Sequence, residues 1–180
     1  MKSAYRNALL VVVCAVIAVV SGCAQPIKST AMMTVKEAQI EKHHPYSVKV
    51  SAEGGRSADS AGLLPVSNDT FAEALANSIV ETKLFSEVKK GDGADYLLNI
   101  NIFSLEQQPF GLDLTSRMEV GWTLVNAATG KQVMRKTINS SYTATVGDAL
   151  VAITRLRLST EGAVRKNIKE GIEEISGLDF

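Results

Sequence analysis

Apolar residues near the N-terminus form one unbroken run that ends in small residues. The run extends from Ala8 to Val20 and follows the basic residues Lys2 and Arg6. A basic start, a short apolar core and a small-residue end are typical of a secretory signal peptide. The run is too short for a bilayer core of about 30 Å, which requires roughly 20 helical residues. We therefore predict a cleaved signal peptide over residues 1–22 rather than a transmembrane helix.

The segment from residue 23 to residue 44 is polar and shows no sustained hydrophobic period. We interpret it as a tether, which reaches at most about 65 Å when fully extended. His43 and His44 end the segment, and no cysteine, aspartate or third histidine stands near them as a zinc site requires. We expect both histidines to be solvated.

Folded structure is expected to begin at Pro45. Tyr46, Val48 and Val50 alternate with polar residues, which predicts a half-buried strand. A loop rich in Gly and Ser follows, and then apolar residues recur at helical spacing. Asn68 or Asp69 is expected to cap this first long helix. Its apolar stripe comprises Phe71, Ala74, Leu75, Ser78, Ile79 and Thr82, with Leu84, Phe85 and Val88 following before a Lys- and Gly-rich turn.

Three further stretches alternate with a period of two and predict a meander of strands. Their apolar positions are Tyr96, Leu98, Ile100, Ile102, then Met118, Val120, Trp122, Leu124, then Met134, Ile138 and Tyr142. Polar residues occupy the other face throughout, which is typical of an antiparallel sheet covered on one side. Gly130 is expected to be a left-handed bulge residue in the second hairpin. Lys136 falls on the apolar face, and we expect its side chain to reach the sheet margin beside Trp122.

The last predicted element is a long helix that starts with Asp148 as its cap and ends near Ser176. Gly162 lies inside it and costs about 1 kcal/mol relative to alanine, so we expect it to allow close approach to the sheet. Ion pairs at i, i+4 spacing are expected on its solvent side: Glu161–Arg165, Lys166–Glu170 and Lys169–Glu173. The predicted fold is a single α+β domain over residues 45–180, with two layers, a mainly antiparallel sheet and both helices on one face.

The charge balance and the motifs argue against several classes of function. Basic and acidic residues each number 19 in the 180-residue chain, so the strongly basic face of a nucleic-acid-binding protein is not expected. Both histidines lie in the predicted tether, whereas a Ser-His-acid triad requires a histidine in the core. The acidic residues Asp95, Glu106, Asp113 and Glu119 could converge in space, although solvated loop or strand positions are the simpler interpretation. We expect no enzyme, no metal site and no cofactor.

Cys23 closes the sequence Val20-Ser21-Gly22-Cys23, which resembles the lipobox of bacterial lipoproteins. The resemblance implies cleavage between Gly22 and Cys23 and lipidation of Cys23. An ordinary signal-peptide cut after Ala24 is the alternative, because Gly22-Cys23-Ala24 also has the small-residue shape of such a site. An internal disulfide is excluded, because Cys14, the other cysteine, lies in the apolar run and would be removed.

The lipobox and the predicted order of elements resemble small YajG-like envelope lipoproteins. They are similar, more loosely, to auxiliary and assembly lipoproteins of lipid transport. Ala24 after the cysteine implies anchoring in the outer membrane on its periplasmic side. The implied function is non-enzymatic binding or assembly with an envelope protein or lipid. An auxiliary lipoprotein of a lipid or ABC transport system, or a self-associating structural lipoprotein, is the alternative.

Two regions are candidate partner surfaces. The first is the polar face of the predicted sheet, with Asn99, Asn101, Arg117, Glu119 and Arg135, although ordinary outward-facing residues are the simpler explanation of this pattern. The second is the loop after the first meander strand, where Phe110 is expected to be partly exposed. An uncovered strand edge would also support homo-oligomers by strand addition.

Overall fold

The computed structural model describes residues 27–34, 37–55 and 64–180. Within these residues the elements are α1 (Ser29–Met32), β1 (His44–Glu53), α2 (Asn68–Thr82), β2 (Phe85–Val88), β3 (Tyr96–Gln107), β4 (Leu114–Asn126), β5 (Gln132–Ala144) and α3 (Ala152–Ser176). The five strands form one sheet in the order β2-β1-β3-β4-β5.

The predicted α+β architecture is confirmed. Strands β3, β4 and β5 form an antiparallel meander, and α2 and α3 cover one face of the sheet. Strand β1 lies inside the sheet and pairs in parallel with both β2 and β3. Parallel neighbours require a crossover connection, and α2 supplies it between β1 and β2.

Strand β2 is a short edge strand that sequence analysis did not predict. Lys83 ends α2 in the left-handed conformation, with φ 55° and ψ 31°, and the Leu84 N–H donates to the Ile79 carbonyl at 3.2 Å. The chain therefore leaves the helix sharply, and Phe85 and Val88 belong to β2. Its four residues are too few to display a period of two.

The apolar positions of the meander form the core. All of the predicted inward positions on β3 and β4 are at most 6% exposed, and Trp122 is fully buried. Lys136 lies opposite Trp122 in the register of β4 and β5, and its ammonium group pairs with Glu174 of α3. The expectation that Lys136 reaches the sheet margin beside Trp122 is confirmed.

Two irregularities shape the meander. Gly130 adopts φ 69°, and its N–H donates to the Asn126 carbonyl at 2.9 Å, which confirms the predicted left-handed turn residue. The register of β3 and β4 shifts between Ile102 and Ser104 and leaves Phe103 55% exposed on the outer face. The Phe103 ring lies over Gly121, where a Cβ would stand 2.7 Å from Phe103 Cζ.

The N-terminal caps of the two long helices differ from the prediction. Ser67, not Asn68 or Asp69, caps α2, and its Oγ accepts a hydrogen bond from the Thr70 N–H at 3.1 Å. Helix α3 begins at Ala152, without a side-chain cap. Asp148 does not cap it, because that carboxylate accepts hydrogen bonds from the N–H and Oγ1 of Thr145 at 2.7 and 2.9 Å and closes a local turn.

The described part of the expected tether packs against the domain. Met32 in α1 is fully buried in the core, and the Thr34 N–H donates to Ser78 Oγ of α2 at 3.1 Å. Arg165 of α3 donates to the Ala31 carbonyl at 2.7 Å instead of pairing with Glu161 as predicted. Residues 27–34 therefore do not form the expected polar tether, because Met32 and the backbone around it pack against α2 and α3.

The two other predicted ion pairs on α3, Lys169–Glu173 and Lys166–Glu170, have different outcomes. Lys169 and Glu173 form the expected pair at 2.9 Å. Glu161 is buried, with the Arg157 Nε at 3.9 Å, and burial raises the pKa of its carboxyl. Lys166 extends over the ring of Tyr142, 5.6 Å from its centroid.

Candidate functional site

The polar residues predicted as a partner surface lie together on the face of the sheet that the helices leave uncovered. Asn99 and Asn101 lie on β3, Arg117 and Glu119 on β4, and Arg135 on β5. The register joins them across the strands, since Thr123 lies between Asn99 and Arg135. Phe110 is separate from this face and lies in the loop at the end of the sheet.

Two of the five predicted residues on the outer face, Asn99 and Asn101, are hydrogen-bonded within the sheet. Asn99 Oδ1 accepts a hydrogen bond from Ser51 Oγ at 2.8 Å, and Asn101 Nδ2 donates to Glu53 Oε1 at 3.2 Å. A shallow depression lies beside Arg117 and Glu119. These contacts are typical of cross-strand pairs on a solvated face, so partner binding there stays a prediction.

The candidate carboxylates do not form one cluster. Glu106 and Glu119 line the same shallow depression on the uncovered face of the sheet, and Asp95 and Asp113 lie elsewhere. Asp95 precedes β3, whereas Asp113 precedes β4, which places them at opposite ends of the antiparallel pair. The Ser47 N–H and hydroxyl donate to Asp95 Oδ2 at 2.8 and 2.7 Å, and these hydrogen bonds lower the pKa of that carboxyl. Asp95 thus joins β1 to the start of β3.

The two histidines differ from each other, and His44 is not solvated as expected. Its ring is buried and stacks on Phe180 with a centroid distance of 4.2 Å. His44 Nε2 donates to the Ile175 carbonyl at 3.0 Å, and burial lowers the pKa of the imidazole. His43 is exposed, as predicted. Among the described residues, no cluster of His, Cys, Asp or Glu has the arrangement of a metal site.

One end of the sheet carries an exposed apolar surface. The β3–β4 loop and the β5–α3 loop lie side by side there, because Leu114 pairs with Ala144. We call this surface the apolar end, and it comprises Phe110 (83% exposed), Leu112 (76%), Val146 (37%), Leu150 (85%) and Val151 (61%). The sequence pattern predicted the exposure of Phe110, but it placed residues 149–151 inside the last helix, so the second loop was not predicted.

Buried polar groups hold the backbone beneath the apolar end. Arg155 is 6% exposed, and its guanidinium donates to the carbonyls of Ala149 and Leu150, both at 2.8 Å. Gln107 Nε2 bridges from β3 to the Leu64 carbonyl and to Thr160 Oγ1 at 2.9 and 2.8 Å. The exposed Leu150 therefore belongs to a loop whose backbone is hydrogen-bonded to α3.

The N-terminal chain enters the fold at the same end. Ile27 packs beside Leu114 and Leu156, the first residue of β4 and a residue in the first turns of α3. From there the chain follows α3 towards its C-terminus, contacting Arg165 through Ala31 and Ile175 through His44. Gly22 and Cys23, the predicted cleavage and lipidation residues, lie outside the described residues. Within the described ranges, no helix is long and apolar enough to cross a membrane.

Comparison with known proteins identifies the fold. No protein-family model and no curated protein matches the sequence, but solved structures match the fold. A Xanthomonas campestris protein of the DUF330 family aligns over 81% of this chain and 89% of its own, with a TM-score of 0.55 and 13% identity. Uncharacterized lipoprotein B from Nitrosomonas europaea aligns over 80% and 91%, with a TM-score of 0.50 and 12% identity. This is a fold that bacterial lipoproteins adopt.

A third similar structure is that of PelC from Paraburkholderia phytofirmans, which is a dodecamer. It aligns over 79% of this chain and 94% of its own, with a TM-score of 0.51 and 12% identity. At such low identities the similarity concerns the fold alone.

Proposed function

We propose that this chain is a bacterial lipoprotein held in the cell envelope by acyl chains on Cys23. The observation that carries the proposal is the lipobox Val20-Ser21-Gly22-Cys23 directly behind a signal-like apolar run. The fold that the chain shares with lipoprotein B of Nitrosomonas europaea supports it. Two or more acyl chains, each contributing about 0.8 kcal/mol per buried methylene, make such an anchor stable.

The proposed location is the periplasmic side of the outer membrane, and the proposed role is non-enzymatic binding or assembly. Ala24 after the lipidated cysteine supports the outer membrane, as does the resemblance to YajG-like lipoproteins. Two observations support a non-enzymatic role. Asp95 and Asp113 lie at opposite ends of the antiparallel pair β3–β4, and His44 is hydrogen-bonded to the Ile175 carbonyl. The partner is an envelope protein or lipid.

Labelling with palmitate tests the anchor. Cells that express the full chain are grown with a clickable palmitate analogue, and the protein is then captured and its label measured. The wild-type chain and a Cys14→Ser control, altered inside the apolar run, are expected to carry the label in the outer-membrane fraction. Cys23→Ser is expected to lose it. Equal labelling of Cys23→Ser, or an unlabelled wild-type chain, would refute the proposal.

Self-association is a second candidate function, favoured by strand β5. This strand has 13 residues and lies at the end of the sheet, where its outer edge has no strand neighbour in the described part of the chain. Such an edge accepts a further strand, and the dodecameric structure of PelC shows that this type of fold is compatible with assembly. Light scattering of the lipidated protein in detergent is expected to give a mass of several copies, and a monomer mass at micromolar concentration would exclude this function.

A further inference from the structure

We propose that the apolar end of the sheet lies in the membrane surface, with its side chains at the boundary between lipid headgroups and acyl chains. The inference rests on the proposed anchor at Cys23 and deepens it, because it assigns the orientation of the domain and a second membrane contact.

The exposure of the apolar end is unusual for a solvated loop pair. Leu150, Phe110 and Leu112 are each more than three-quarters exposed, and Val151, next to Leu150 in the chain, is 61% exposed. Single exposed apolar residues need no explanation, but several gathered on two neighbouring loops mark an interaction surface. The hydrogen bonds from Arg155 to the carbonyls of Ala149 and Leu150 fix the backbone of the β5–α3 loop, so the exposed Leu150 is held in position.

The position of the anchor indicates that the apolar end contacts the membrane. Ile27 is the fourth residue after Cys23, and four extended Cα-to-Cα steps span at most about 14 Å. Ile27 packs against the buried cluster of Leu64, Leu114 and Leu156 at the same end of the sheet. Strand β4 has 13 residues and a length of about 43 Å at 3.3 Å per residue. The lipidated cysteine therefore reaches the apolar end but not the opposite end of the sheet.

The charge of the two loops defines the kind of membrane contact. Residues 108–113 and 145–151 contain Asp113 and Asp148 but neither lysine nor arginine. Attraction to anionic lipids depends on basic residues and is absent from this loop pair. The contact is consequently apolar, with Phe110, Leu112 and Leu150 as the side chains that enter the lipid.

Depth-dependent fluorescence quenching tests the orientation. Leu150→Cys introduces a thiol into the lipidated mature protein, in which the thiol of Cys23 is already acylated. An environment-sensitive fluorophore is attached to the new cysteine, and the protein is reconstituted into phosphatidylcholine vesicles with or without nitroxide-labelled lipids. The matched control is Ala128→Cys, which is exposed in the β4–β5 turn at the opposite end of the sheet.

The label at residue 150 is expected to shift to the blue and to lose fluorescence when the nitroxide lies near the headgroups, while the label at residue 128 does neither. Vesicle-bound, lipidated protein whose label at residue 150 is unquenched would overturn the inference and leave the anchor intact. A blue shift that depends on the protein-to-lipid ratio, without quenching, would also overturn it, because a second copy then covers the surface. Protein that carries no acyl chains by mass spectrometry would refute the anchor itself.

Discussion

The ring of Tyr142 on β5 packs directly against the backbone of α3 at Gly162. A Cβ built on Gly162 would stand 2.5 Å from Tyr142 Cδ1, closer than real Cβ contacts allow. Gly162 costs helix stability relative to alanine, about 1 kcal/mol, yet its missing side chain lets the helix lie on the sheet. The predicted reason for a glycine at this position is confirmed.

Gly162→Ala is expected to destabilise the fold despite the better helix propensity of alanine. The added methyl group must displace the Tyr142 ring, and overpacking of this kind costs about 1–3 kcal/mol. Urea denaturation measures the free energy of unfolding. Gly91→Ala is the control, because a Cβ at Gly91 meets no atom within 4 Å. A Gly162→Ala protein as stable as the wild type would contradict the close packing.

Asn167→Leu is expected to destabilise the fold by removing a buried bridge between β4, β5 and α3. Trp122 Nε1 donates to Asn167 Oδ1 at 3.0 Å, and Asn167 Nδ2 donates to the Ile138 carbonyl at 3.0 Å. Leaving a buried donor or acceptor unpaired costs about 1–3 kcal/mol. Trp122 is the sole tryptophan, so its emission reports the change directly. The exposed Asn139→Ala should alter neither emission nor stability, and an equal effect of both variants would contradict the assignment.

Met32→Ala is expected to lower the free energy of unfolding by about 2–5 kcal/mol, as truncation of a fully buried methionine does. The neighbouring Met33 is only half-buried, so Met33→Ala should cost clearly less. Thermal and urea denaturation measure the stability of the two variants. Equal stability of both variants and the wild type would mean that this segment is a free tether after all.

Acid is expected to destabilise the fold through His44. Burial lowers the pKa of this imidazole in the folded state, so the unfolded chain, with a histidine pKa of about 6.5, binds more protons than the folded one. The free energy of unfolding therefore decreases as the pH falls from about 7.5 to 5.5. His44→Gln should flatten this dependence while His43→Gln keeps it. An unchanged slope in His44→Gln would contradict the burial of a neutral His44.

Hydrophobic periodicity predicted the parts of the fold that repeat. The alternation of Tyr96, Leu98 and Ile100 identified both the strand and its buried face, because a side chain on the wrong face of a one-sided sheet is costly. The same alternation correctly predicted that Lys136 lies beside Trp122. The sequence did not predict β2 or the packing of residues 27–34, because neither segment is long enough to show a hydrophobic period.

The candidate site was less predictable than the fold. Phe110 was recognised as an exposed aromatic residue, but Leu150 and Val151 looked like the start of a helix because Asp148 resembles a cap. Because Asp148 and Thr145 close a turn, α3 begins only at Ala152. The proximity of the two loops depends on the pairing of Leu114 with Ala144, a long-range contact that local patterns do not encode.

The most direct test of lipid anchoring is the mass of the N-terminal peptide of the protein isolated from bacterial membranes. A peptide that begins at Cys23 and carries the mass of a diacylglyceryl group and an amide-linked acyl chain is the expected result. An unmodified peptide that begins at Gln25, produced by an ordinary cut after Ala24, would contradict the anchor.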